Sequence, residues 1–197
     1  MGFGYKTAWI AVRGRSPEEV ADALDLTSRQ PTAYAEGTEA AYRSGVYVAP
    51  SIQGWILAHG RDVGRTIDAT SAEMLEWLGH LSTSLGTVQY FGTHRVTEWH
   101  EWVWAEHGSI VRAYAFSEGD VALFIGDVTE AERAVGVGLR DHEPDMDSWS
   151  DEQWDSWYES APHERHVMQI AGRWSVDPMS FDDNEVAGLG IHGMIAA

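Results

Sequence analysis

The hydrophobic period of the chain changes at Gly86, and no other sequence feature constrains the fold as strongly. Before it, Met74, Leu78, Leu81 and Leu85 recur at helical spacing, and Leu75 and Trp77 widen the stripe. Thr70-Ser71-Ala72-Glu73 heads this run as a capping box, with a hydroxyl and a glutamate three residues apart to satisfy the free amides of a first turn. After Gly86 the period is two. Residues 88–91 read as a strand, and 96–105 and 109–116 as a hairpin turning at Glu106-His107-Gly108. A helix running straight into antiparallel strands has its own sheet as the surface on which to bury its stripe.

The rest of the chain extends this pattern. Residues 5–12 are rich in β-branched and aromatic types and read as a first strand. Ser16-Pro17-Glu18-Glu19 combines an N-cap, a proline at the first helical position and a glutamate three residues on, which starts a helix through about Leu26 with Val20, Ala23 and Leu24 inward. Residues 27–44 carry no clear period beyond a short helical turn at 38–42. Strands follow at 45–48 and 55–59, and later at 121–125. Thr129-Glu130-Ala131-Glu132 opens a short helix, and 162–170 reads as a last one with Val167, Ile170, Ala171 and Trp174 inward. The order implies an α+β fold: a mostly antiparallel sheet with helices packed on one face. A single domain is expected over residues 1–181, with 182–197 as a Gly-rich C-terminal tail outside it.

Charge narrows the partners. Thirty-one acidic residues against 13 basic ones give a formal charge of −18, so phosphate-rich nucleic acid and anionic membrane surfaces are poor partners. The absence of cysteine removes disulfides and thiolate chemistry and fits a reducing compartment. No signal-like segment is recognised at the N-terminus, and the longest apolar runs, such as 121–125, are far below the roughly 20 residues of a membrane span. The expectation is a cytoplasmic protein. The sequence implies no cofactor and does not specify an oligomeric state.

Two stretches carry candidate chemistry. With Glu106-His107-Gly108 as the loop, Trp102 faces Arg112, His100 faces Tyr114 and Glu98 faces Phe116, so Glu98, His100, Arg112 and Tyr114 meet on a face walled by Trp102 and Trp104. A histidine beside a carboxylate can act as a general base, an arginine can hold an anion and a tyrosine can donate a proton. The same residues also read as a face of ordinary cross-strand contacts. His94, Glu98 and His100 have the composition of a two-histidine, one-carboxylate metal set, but about 3.3 Å per residue separates His94 too far from Glu98 along a straight strand. His163 and His166, at i and i+3, are read as solvated histidines near a helix start, and no metal site is assigned.

The second stretch, 141–159, holds eight acids and no base, hence −8 of the −18 in under a tenth of the chain. Ser150 and Gln153 cap a helix on which Trp154, Trp157 and Tyr158 form a stripe. Together with Trp149, Asp151 and Asp155 this segment suits docking on a basic partner, because aromatics anchor while carboxylates steer. It reads equally as a helix packing its aromatics on its own domain. Dinucleotide-loop, phosphate-loop and nucleophile-elbow signatures are absent from the sequence.

Three segments, Val88-Gln89-Tyr90-Phe91-Gly92-Thr93-His94-Arg95-Val96, Ile110-Val111-Arg112-Ala113-Tyr114 and Ala171-Gly172-Arg173-Trp174-Ser175-Val176-Asp177-Pro178, together with Gly54-Trp55 and the early Trp9 strand, resemble a family of bacterial proteins of similar length, mainly actinobacterial, with no established activity. The resemblance covers about residues 5–180 and implies only that these segments share one folded unit. Size, charge and fold class also give an analogy to acidic immunity proteins that neutralise toxins. Two functions follow as expectations: an immunity- or antitoxin-like module docking on a basic protein, or a small cofactor-free hydrolase, isomerase or cyclase built on the hairpin cluster.

Overall fold

In the computed structural model, residues 6–63, 72–117, 119–137, 139, 148–183 and 185–195 are described. Lys6–Arg13 (β1) sits at the centre of the sheet, and its consecutive Trp9, Ile10, Ala11 and Val12 are all buried. A strand buried on both sides needs cover on both sides, and helices supply it. Pro17–Ala23 (α1) starts as expected: Ser16 Oγ accepts from Glu19 N at 3.2 Å, while a Glu19 carboxylate oxygen accepts from Ser16 N at 2.8 Å. Leu26–Thr32 (β2) and Tyr34–Arg43 (α2) occupy the stretch whose sequence shows no clear period. Polar throughout its middle and carrying Pro31, β2 has the composition of an edge strand.

Val46–Val48 (β3) and Trp55–His59 (β4) follow, then Ala72–Leu85 (α3), which buries Met74, Leu78, Leu81 and Leu85 as the period requires. Thr70 and Ser71 of its expected cap lie outside the described residues. Next come Thr87–His94 (β5), Trp99–Glu106 (β6), Ser109–Ser117 (β7), Asp120–Ile125 (β8), Glu130–Val135 (α4), Asp151–Ser160 (α5), Glu164–Trp174 (α6) and Gly190–Ile195 (β9). The strands form one antiparallel sheet in the order β2-β9-β3-β4-β1-β5-β6-β7-β8. The fold is α+β and forms one domain.

Helices cover both faces rather than one. α1 and α3 lie over Ile10, Val12, Ile56, Val88 and Val103, whereas α2, α5 and α6 lie over Trp9, Tyr47, Leu57, Phe91 and Trp102. The expected tail is also part of the sheet. β9 lies between β2 and β3, pairing Thr32 with Gly190 on one side and Val48 with Ile191 on the other. A Cβ at position 190 would collide with the Val48 carbonyl oxygen and the Tyr47 ring, so glycine is there for close approach.

The hairpin differs in register. His107 and Gly108 alone form the turn, with φ of 47° and 87°, as a two-residue type I′ turn requires. Val111 bulges, and beyond it Trp104 pairs with Arg112, Trp102 with Tyr114 and His100 with Phe116. The displacement from the expected pairs is two residues, so His100, Trp102, Arg112 and Tyr114 still share a face.

Candidate functional site

That shared face is interior. Arg112 is 0 % exposed and Tyr114 1 %, beneath α4 and α6. Arg112 Nε donates to Glu132 Oε1 at 2.9 Å and Oε2 at 3.2 Å, its Nη1 donates to the Ile125 carbonyl at 2.9 Å, and its guanidinium carbon lies 4.4 Å from the Phe124 ring centroid. Trp102 Nε1 donates to Glu132 Oε1 at 2.6 Å. Thr129 N and Oγ1 donate to Glu132 Oε2 at 2.6 and 2.8 Å. One glutamate thus closes the capping box of α4 and neutralises the arginine of the sheet.

Glu98, His100, Arg112 and Tyr114 therefore do not form the expected catalytic group. Glu98 lies in the turn between β5 and β6, exposed and with φ of 46°, off the strand that was to carry it. His94 pairs with Trp99 while Thr93 pairs with His100, so strand alternation sends His94 and His100 to opposite faces. His100 is buried with Nδ1 3.0 Å from Thr93 Oγ1. Burial pushes its pKa down to about 4, with Glu164 opposing and His163 and His166 adding to the shift. His163 and His166, expected to be solvated, lie with ring centroids 3.9 Å apart and tilted by 33°; burial lowers His163 and carries His166 to about 4. Among the described residues no three His, Asp or Glu side chains are grouped to hold a metal.

The acidic segment is described from residue 148. Trp157 is 8 % exposed, its ring centroid 6.1 Å from that of Phe116, and Trp149 and Trp154 pack edge-on against it at 6.4 and 6.1 Å. Trp154 and Trp157 therefore face the domain. Asp151 and Asp155 are exposed on the outer side of α5. The side chain of Tyr158 lies outside the described residues.

A concave feature among the described residues lies elsewhere: a cleft of about 590 Å³ between the sheet and the facing ends of α4 and α6. Its floor is built by register. Trp55 pairs with Arg13 across β4 and β1, and Gln89 with Trp104 and Thr87 with Glu106 across β5 and β6. Thr129, Glu130 and Ala131 form one wall, and Arg173 and Trp174 at the end of α6 form the other. Gln89 is 2 % exposed; its Nε2 donates to the Trp174 carbonyl at 3.2 Å, and its Oε1 has no partner. Trp104 Nε1 is likewise buried without an acceptor. An acceptor and a donor stand unused on paired residues, beside three indoles. Such a site can stack a flat group against its indoles, with both polar atoms just beneath the surface.

The sequence assigns no role to Arg13, Gln89 or Arg173. The available signal was Gln89 itself, the one amide in the apolar run Val88-Gln89-Tyr90-Phe91 at the centre of the sheet. No helix of the described residues is long and apolar enough to cross a membrane. Compared with protein-family models, curated proteins and solved structures, the chain matches none.

Proposed function

We propose that the protein binds a small organic molecule in the cleft between the sheet and α4/α6. The observation that carries this is the buried, unpartnered pair of Gln89 Oε1 and Trp104 Nε1. Leaving such atoms unsatisfied costs on the order of 1–3 kcal/mol each, which a ligand presenting the complementary groups recovers once a side-chain rotation brings them to the cleft surface. The volume lies inside the range of roughly 300–1,000 Å³ usual for small-molecule sites. A thermal-shift screen tests the reading. A ligand at a hundred times its Kd adds about 2.7 kcal/mol of stability. Gln89→Leu, which removes both ends of the amide at similar volume, abolishes the shift for the same compounds. Hits that stabilise Gln89→Leu equally would refute the assignment.

A second reading keeps a narrower basis: docking of α5 on a basic protein, in the manner of an immunity protein. Its support is the exposed acidic row of Asp151, Glu152, Asp155 and Glu159. Trp149 and Trp154 would then be the reachable aromatics, being less buried than Trp157. Binding to a cationic partner should weaken steeply with salt and vanish when the four carboxylates become amides. Both readings go with a cytoplasmic location, which the cysteine-free composition favours.

A further inference from the structure

The lining of the cleft also indicates the chemistry of its ligand. Four charges stand on it, Glu106 and Glu130 against Arg13 and Arg173, and they cancel, in a chain whose formal charge is −18. Among the described residues none of the four is held in an ion pair. A charged ligand of either sign would meet repulsion as well as attraction there. A ligand that suits both kinds of side chain donates to carboxylates and accepts from guanidiniums, and the hydroxyl group does both. The apolar part of the lining has its own geometry. Trp104 and Trp174 stand with ring centroids 5.6 Å apart and planes tilted by 57°, a corner rather than a parallel slot.

We infer that the ligand is a neutral saccharide, with one pyranose ring in the corner of Trp104 and Trp174 and its hydroxyls shared between the two carboxylates and the two guanidiniums. The assignment rests on the cleft reading above. A pyranose presents C–H bonds to the electron-rich indole faces and carries its hydroxyls around the rim, where the charged side chains stand. A hydroxyl also suits the pair beneath the surface, since one such group can donate to Gln89 Oε1 and accept from Trp104 Nε1 once rotation exposes them. An unsubstituted aromatic ring would cover the indoles but turn carbon towards all four charges. The cleft, at about 590 Å³, has room for more than one six-membered ring.

Four uncharged disaccharides, cellobiose, maltose, lactose and N,N′-diacetylchitobiose, are titrated into the 15N-labelled protein beside indole-3-ethanol, following the indole N–H resonances of Trp104 and Trp174. At least one disaccharide should shift both resonances saturably. Glu130→Ala and Arg173→Ala, both at exposed positions, should each weaken its binding by about tenfold, the worth of one hydrogen bond to a charged group. An anion would lose affinity with the arginine alone and a cation with the glutamate alone, so a loss on one side only overturns the neutral class. Shifts that survive both substitutions unchanged overturn the placement in this cleft. If indole-3-ethanol moves the resonances and no disaccharide does, the saccharide class is wrong and the cleft stands. If none of the five probes moves them, the saccharide assignment falls, and only hits of other chemistry sensitive to Gln89→Leu would keep the cleft reading.

Discussion

Replacing Glu132 by alanine removes one carboxylate that takes hydrogen bonds from Trp102 Nε1, Arg112 Nε and both donors of Thr129. Arg112, 0 % exposed, is left as a buried cation with no counter-charge. Breaking a buried ion pair from one side costs about 3–5 kcal/mol, and losing the capping box about 1 more. The total, about 4–6 kcal/mol, is a large share of the 5–15 kcal/mol usual for a domain. At about 2–4 °C per kcal/mol for a chain of this size, Tm should fall by roughly 8–24 °C. The informative companion is the double variant Arg112→Met/Glu132→Leu, in which no charge is stranded. It should be more stable than Glu132→Ala by at least about 2 kcal/mol. Urea unfolding followed by circular dichroism measures both. A loss below about 1.5 kcal/mol for Glu132→Ala, or a double variant no better than the single one, would show that Arg112 is not held by this carboxylate.

Acid should destabilise the fold. Burial holds His59 at about 3 and His100 and His166 at about 4, all below the ordinary 6.5. Between those values the unfolded chain binds protons that the folded one refuses, so stability is complete above about pH 6.5 and falls as pH drops towards 4, by about 1.4 kcal/mol per pH unit for each histidine. Urea midpoints at pH 7.5 and 5 test this, and His59→Gln should flatten the slope by about a third. Gly190→Ala should cost about 2 kcal/mol or more, because its methyl meets the Val48 carbonyl and the Tyr47 ring; an unfolding midpoint equal to the parent's would contradict the packing. Trp157→Ala should cost about 3–5 kcal/mol, whereas Asp151→Asn and Asp155→Asn should each stay within about 0.5 kcal/mol.

Periodicity and capping chemistry made much of the fold legible. Ser16-Glu19 and Thr129-Glu132 start helices where expected, and the stripe from Met74 to Leu85 is buried. α2 was hidden because its buried contacts are Gly37, Thr38 and Ala41, with Tyr34 the one large apolar anchor, so no apolar stripe stands out. β9 was hidden because Gly190 and Gly193 are selected for what they leave out, which hydropathy cannot register. His100, Trp102, Arg112 and Tyr114 share one face as the sequence implies, whereas Glu98 falls in a turn and His94 on the opposite face; whether a face is open or roofed depends on α4 and α6, which lie far along the chain. The cleft was unreadable for the same reason. Gln89 and Trp104 meet only across β5 and β6, and their wall comes from residues 129–131 and 173–174.

The position of β9 also sets the timing of assembly. During synthesis the ribosome releases β2 and β3 early, yet neither can reach the other until residues 190–195 emerge to lie between them. One flank of the nascent sheet stays unzipped until the chain has been made through β9, and closing it links segments distant in sequence, a slow step. A polar β2 bearing Pro31 is then a safeguard, since during that interval its bare amides and carbonyls are poor templates for a neighbouring nascent chain.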